Sequence, residues 1–277
     1  MQYIEHEGFV EIANPVDFDP IKIFECGQCF RWNADENGVY RGVAHGIAAK
    51  VWSEGGSVFI SGSMEQFRNV WYDYFDMDRD YAKAREALSI DEYTRAAAEY
   101  GAGIRILRQD KWEALCSFII SQCNNIPRIK KIVETLCQYF GKELEFEGKK
   151  VYTFPDAEKV AALTVEDLAP LRCGYRAPYI IGAAKAVVDG TLDLETLSQS
   201  DFSTALKALK SMHGIGDKVA NCVILFGLCI PDAFPVDVWM KKALAAHYPK
   251  DFDPKVFGEN AGLAQQYIFY YARSGNV

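Results

Sequence analysis

The hydrophobic pattern changes period near residue 62. From about 20 to 61, short runs rich in β-branched and aromatic residues ("FECGQCFRW", "GVYRGVA", "HGIAAKVW", "GSVFISG") alternate with Gly, Asn and Ser turn signals, which predicts an antiparallel sheet. The next stretch, "SMEQFRNVWYDYFDMD", sets Phe67, Val70, Trp71, Tyr74 and Phe75 at helical spacing behind a Ser-x-Glu start. Beyond it almost everything reads as amphipathic or buried helix: "DKWEALCSFIISQ", "IPRIKKIVETLCQYFG", "YIIGAAKAVVDG", "STALKALKSM", "DKVANCVILFG", "DVWMKKALAAHY" and "GLAQQYIFYYAR". "KKVYTF" is the main strand candidate there, and several helices end in the glycine expected of a C-cap. No repeat, low-complexity tract or long linker interrupts the chain. The expected class is α+β, predominantly α: a small N-terminal antiparallel β-sheet domain over 1–100 that ends in helix, then an all-helical body over 101–277.

Composition changes this picture little. The 277 residues are 49% apolar, enough for one large or two ordinary cores. No apolar run reaches the length of a membrane span, and no membrane contact is expected. The start, "MQYIEHEGFVEIANP", lacks the basic and apolar segments of a signal peptide, so a cytoplasmic protein is expected. Eight scattered cysteines fit reduced thiols better than a disulfide framework. The net charge of −8 argues against a nucleic-acid partner until its distribution is considered. Residues 1–100 hold 9 basic and 18 acidic side chains, whereas the remainder holds 21 and 20. The later part is neutral enough to carry a local basic face.

Candidate chemistry centres on "SMHGIGDKVANC". Two glycines, Gly214 and Gly216, bracket Ile215 between predicted helices, a helix-hairpin-helix pattern at about 201–227. The free N–H groups of the second helix suit a DNA phosphate, with His213, Gly214, Ile215 and Gly216 at the contact. The plain alternative is an αα-hairpin that needs glycine at its turn. Lys218 is the unusual residue, because the dipole disfavours an ammonium in the first turn of a helix. A lysine whose free amine is favoured is a nucleophile able to form a Schiff base. Cys222, one turn on, shares its face. Nineteen residues after Lys218, "FPVDVWMKKAL" places Asp237 before a helix. Asp237 reads as an N-cap, and its fixed charge also suits an oxocarbenium-like transition state.

With "HGIG", "DKVANC" and "PVD" in this order, the chain resembles the helix-hairpin-helix-GPD superfamily of base-excision DNA glycosylases, and the lysine places it with the bifunctional glycosylase/lyases. No cysteine follows Cys229, so the four-cysteine iron–sulfur branch is not expected. "SGSMEQFRNVWYDYFDMDRDY" and "SFIISQCNNIPRIKKIVETLCQYFG" are similar to bacterial members of the 8-oxoguanine DNA glycosylase/AP lyase family, and the resemblance runs over nearly the whole length. The resemblance implies excision of 8-oxoguanine opposite cytosine, then strand nicking by β-elimination, with Lys218 and Asp237 catalytic. It implies double-stranded DNA containing oxidised guanine as partner and a monomeric enzyme with no required cofactor or catalytic metal. A structural cation at the hairpin is the one ion it suggests.

Further residues take their roles from the same resemblance. In "CGQCFRW", Gly27 corresponds to the glycine whose carbonyl accepts the N7–H that 8-oxoguanine has and guanine lacks. As a pair, Cys26 and Cys29 read alternatively as a metal or redox CxxC, a weak signal without a second pair. Gln265 and Phe269, four apart, match the residues that read and stack on the flipped base, and Cys222 matches the residue on its other face. Arg128 and Arg176 match arginines that hydrogen-bond the orphaned cytosine, with Tyr175 as the wedge and Lys241 and Lys242 near the DNA backbone. The usual Asn-Asn-Asn triplet is here Cys123-Asn124-Asn125, and a thiol hydrogen-bonds weakly, so opposite-base selectivity is expected to be looser or carried by the arginines. Two other classes stand beside this reading: a monofunctional glycosylase for alkylated bases, and a non-catalytic helix-hairpin-helix DNA-binding module.

Overall fold

The computed structural model describes residues 1–277. Six strands form one sheet: β1 (Gln2–His6), β2 (Phe9–Ala13), β3 (Asn33–Ala34), β4 (Tyr40–Ala44), β5 (Ile47–Glu54) and β6 (Ser57–Ser61). Their order is β1-β2-β6-β5-β4-β3, with every neighbouring pair antiparallel. Ile60 pairs with Val10 on one side and Val51 on the other, so one apolar row crosses three strands. This row floors a small core of 19 residues, roofed by Trp32, Trp71, Tyr74 and Phe75.

Two features depart from the sequence pattern. The hairpin of β1 and β2 lies before residue 20, where no strand was expected. The run "FECGQCFRW" is not a strand. Asp19 accepts hydrogen bonds from the Ile21 and Lys22 N–H groups and Pro20 occupies the first turn, so the chain enters a short helix, α1 (Pro20–Glu25). After α1, buried Gln28 replaces ladder hydrogen bonds: its amide donates to the carbonyls of Ile23 and Arg105 and accepts from the Leu107 N–H. The expected helix after the sheet is present but wound unevenly. α2 (Met64–Gln66) and α3 (Tyr72–Tyr74) flank a π-helical turn (Phe67–Trp71), and Phe67, Trp71 and Tyr74 all reach the small core.

The helical body contains α4 (Tyr81–Ala87), α5 (Glu92–Tyr100), α6 (Lys111–Ile120) and α7 (Ile126–Phe140). A hairpin of β7 (Glu143–Phe146) and β8 (Lys149–Tyr152) follows, so the strand seen in "KKVYTF" pairs with the segment just before it. Then come α8 (Ala157–Ala161), α9 (Ala177–Val188), α10 (Leu194–Ser198), α11 (Phe202–Lys210), α12 (Asp217–Phe226), α13 (Val238–His247) and α14 (Ala261–Arg273). Their buried faces share a core of 58 residues. Tyr81, Leu88 and Ala97 from α4 and α5 belong to this larger core, as do Cys26 and Phe30. The two cores therefore interleave around residues 26–107.

Much of the acidity serves the helices. α4, α5, α6, α10, α11 and α13 each begin at an Asp whose carboxylate accepts from first-turn N–H groups, a cap typically contributing ~1 kcal/mol. α12 differs: it begins at Gly216, with no side chain on its free N–H groups. In the turn before it, Gly214 has φ +85 and lies face-on to Tyr179 of α9, where a Cβ would fall 2.4 Å from the ring. Gly214→Ala is expected to lower unfolding free energy by roughly 1–3 kcal/mol in denaturant titration.

Candidate active site

The hairpin delivers Lys218 to a cavity of about 120 Å³ between α6, α12, α13, α14 and the loop after α1. Lys218 is the second residue of α12 and half-buried. Its Nζ donates to Ser121 Oγ at 3.0 Å and sits 5.5 Å from the centroid of the Phe118 ring. Ser121 is buried, and its own hydroxyl donates to the Phe118 carbonyl at 2.8 Å, which turns the oxygen lone pairs toward the amine. The amine thus has a defined direction.

Cys222 lies one turn along and is buried. Burial pushes its thiol above the usual range; the charge of Lys218 opposes this shift and that of Asp237 adds to it. It therefore forms a neutral thiol wall of the cavity. Asp237 caps α13 as expected, with Oδ1 accepting from the Trp239 and Met240 N–H groups at 3.0 and 2.9 Å. The same carboxylate lines the cavity, next to buried Pro235.

Gly27, Gln265 and Phe269 line this cavity too. Gln265 is 4% exposed, yet its Oε1 has no partner in the protein. An orphaned buried amide oxygen is costly, which sets Gln265 apart from Gln28, whose buried amide oxygen is paired. Gly27 has φ +83, and a Cβ there would press within 3.3 Å of the Phe269 ring. The structure thus assembles around one cavity all six residues expected to act in catalysis or lesion-base reading. Ser121, Phe118 and Gln266 also converge there and were not anticipated, because a serine in an apolar helix and a glutamine beside another carry no local signal.

The residues assigned to the opposite strand gather at the rim. Asn124 lines the cavity and donates to the Ile120 carbonyl, while Asn125 is the N-cap of α7. Arg128 is exposed and touches the Arg172 carbonyl at 3.3 Å. Tyr175 is 51% exposed at the surface. Arg176 is buried, unlike Arg128. Its guanidinium lies 4.5 Å from the Tyr175 ring centroid and donates to the carbonyls of Gln122, Cys123 and Cys173. It braces the loop that carries Cys123. Cys123 is exposed with φ +46, a left-handed conformation that asparagine adopts more readily than cysteine. Its contact with the Tyr175 hydroxyl raises the tyrosine pKa. His213 packs edge-on to Tyr179, and Lys241 and Lys242 are exposed on α13, Lys242 over Trp239.

All eight cysteines are free thiols; Cys26 lies in the large core and Cys29 in the small one. No three His, Cys, Asp or Glu side chains are grouped to hold a metal ion. A larger open cleft of about 550 Å³, lined by His45, Glu113, Lys142 and Asp156 among others, shares no lining residue with the cavity of Lys218. No helix is long and apolar enough to cross a membrane.

Comparison with known proteins extends these observations. Residues 12–115 match the family described as 8-oxoguanine DNA glycosylase, N-terminal domain, and residues 116–256 match the HhH-GPD superfamily of base excision DNA repair proteins. The chain is similar to the Clostridium acetobutylicum 8-oxoguanine glycosylase/lyase solved with dsDNA containing cytosine opposite 8-oxoG. Identity is 39%, coverage 100% of this chain and 99% of that one, and the TM-score 0.94. It is 33% identical to a Bacillus subtilis DNA-3-methyladenine glycosylase over 60% of this chain and 55% of that protein. To the Saccharomyces cerevisiae N-glycosylase/DNA lyase it is 35% identical, over 53% of this chain and 42% of that protein. The chain thus spans about half the length of these two curated relatives.

Proposed function

Because the chain belongs to the 8-oxoguanine DNA glycosylase/lyase family of the HhH-GPD superfamily, we propose that it excises 8-oxoguanine from duplex DNA and then nicks the strand. One observation carries the reading. Lys218, Asp237, Gly27, Phe269 and Gln265, whose buried amide oxygen has no partner in the chain, line a single cavity. In this account the hairpin N–H groups and the lysines of α13 hold the DNA backbone. The damaged nucleotide leaves the stack, its base enters between Phe269 and Cys222, and Gln265 pairs with its Watson–Crick edge. The Gly27 carbonyl accepts the lesion N7–H; guanine would set a lone pair against that oxygen.

Lys218 then attacks C1′ with its amine lone pair as the glycosidic bond breaks, and the base departs with the bonding electrons. The Asp237 charge stabilises the positive charge that develops on the sugar. Ring opening gives an imine on Lys218, loss of a C2′ proton follows, and the 3′ phosphate leaves by β-elimination. The departing base takes up the proton that the lysine nitrogen sheds, and water finally hydrolyses the imine and frees Lys218. The carbonyls of His213, Gly214 and Ile215 accept no hydrogen bond within the chain; they would hold a hard cation, which would supply positive charge for DNA-backbone binding and take no part in the chemistry.

The test is single-turnover excision from duplexes carrying 8-oxoguanine opposite each of the four bases. Base release coupled to nicking, fastest opposite cytosine, is expected; Cys123→Asn should widen the preference for cytosine. The likeness to the B. subtilis 3-methyladenine glycosylase supports a second reading, excision of alkylated bases. Release of such a base without nicking, and none of 8-oxoguanine, would establish that reading instead.

A further inference from the structure

α14 carries a second set of contacts on its buried surface. Gln266 is 2% exposed and donates Nε2 to the Cys26 carbonyl at 2.7 Å. Seven residues on, Arg273 donates Nη2 to the Glu25 carbonyl. These two consecutive carbonyls end α1, where no intrahelical donor remains for them. They directly precede Gly27. A third tie comes from Lys130, which holds the Glu25 carboxylate and the Trp32 carbonyl at the two flanks of the loop.

Arg273 also backs the aromatic wall. Its guanidinium carbon is 5.5 Å from the Phe269 ring centroid, and its Nη1 lies 3.5 Å from where a Gly27 Cβ would be. Thus one helix presents Gln265 and Phe269 to the cavity and grips the peptide units that lead to Gly27. The separation between the stacking ring and the Gly27 carbonyl is set by α14 itself, across about 240 residues of chain.

We infer that Gln266 and Arg273 are positioning residues for lesion recognition: they hold the Gly27 carbonyl at the height where N7–H of a base stacked on Phe269 meets it. This inference rests on the reading of Gly27 given above. A hydrogen bond tolerates only a few tenths of an ångström, whereas an unanchored loop with positive φ has room to tilt. Neither residue touches the reacting atoms. β-Elimination at an abasic site, where no base is read, depends on Lys218 and not on Gly27.

The full-length chain separates these roles. Gln266→Leu keeps the volume and removes the donor. Excision of 8-oxoguanine opposite cytosine is expected to fall ~10-fold or more, while nicking of a preformed abasic site changes far less. Arg273→Met should follow the same pattern, and Arg273→Lys, which retains a cationic donor, should recover part of the loss. Equal losses in excision and abasic-site nicking would mean that the contacts only stabilise the fold, and would overturn the inference; so would an unchanged ratio of the two rates. Failure of the wild-type chain to release 8-oxoguanine at all would overturn the proposed function, and this inference with it, before any variant is compared.

Discussion

Lys218→Gln is expected to abolish strand nicking and to reduce base release by more than about a thousandfold, because it removes the amine proposed as the nucleophile. The substitution should leave the fold intact. Lys218 is half-buried at a helix start, and its amine meets the Ser121 hydroxyl, the Cys222 thiol and the Phe118 ring. Glutamine keeps an uncharged N–H donor on a side chain one atom shorter, so the site loses the amine without gaining bulk. Affinity for a lesion-containing duplex should also survive, since the hairpin N–H groups and Phe269 are unchanged. A variant that binds the lesion but neither releases base nor nicks is the expected phenotype, read by gel-resolved nicking and by alkali-revealed abasic sites. A non-catalytic DNA-binding module predicts no difference between the variant and the wild type.

Asp237→Asn tests the carboxylate separately from the cap. Asparagine caps a helix about as well as aspartate, and the two N–H groups on Oδ1 would find an amide oxygen in its place. Stability should therefore change by less than about 1 kcal/mol in denaturant titration. Base release should fall by roughly 10²–10³-fold, because the fixed negative charge facing the developing cation is lost. A drop in stability with little change in rate would make Asp237 a cap and no more.

The parts of this molecule that were legible in the sequence are those with local causes. α6, α7, α9 and α11–α14 follow from apolar periodicity and caps, and β4–β6 from alternation between turn signals. α1 went unread because Asp19-Pro20 is only a two-residue start signal ahead of a β-rich composition. β1 and β2 are only five residues each, and in β2 the less buried positions include Phe9 and Ala13, so its alternation in burial is not matched by an apolar–polar alternation in the sequence. Lys218 was identifiable because it breaks a local rule, a cation in a positive helix end, and Asp237 and Cys222 gained meaning beside it. Ser121, Gln266 and Arg273 were not identifiable in that way. Their partners lie 97, 240 and 248 residues away, and each side chain acts through a contact that only the folded chain creates. Cys123 gave the reverse case. Its identity was noticeable in the sequence, but the left-handed backbone that makes asparagine the better-suited residue there became visible only in the structure.

The most direct test of the account is borohydride reduction of the protein with a duplex carrying 8-oxoguanine opposite cytosine, followed by proteolysis and mass mapping of the adduct. The account predicts a covalent complex that forms only with the lesion duplex, with the sugar remnant on the peptide containing Lys218. No adduct, or an adduct mapped to the N-terminal amine or to another lysine, would contradict it.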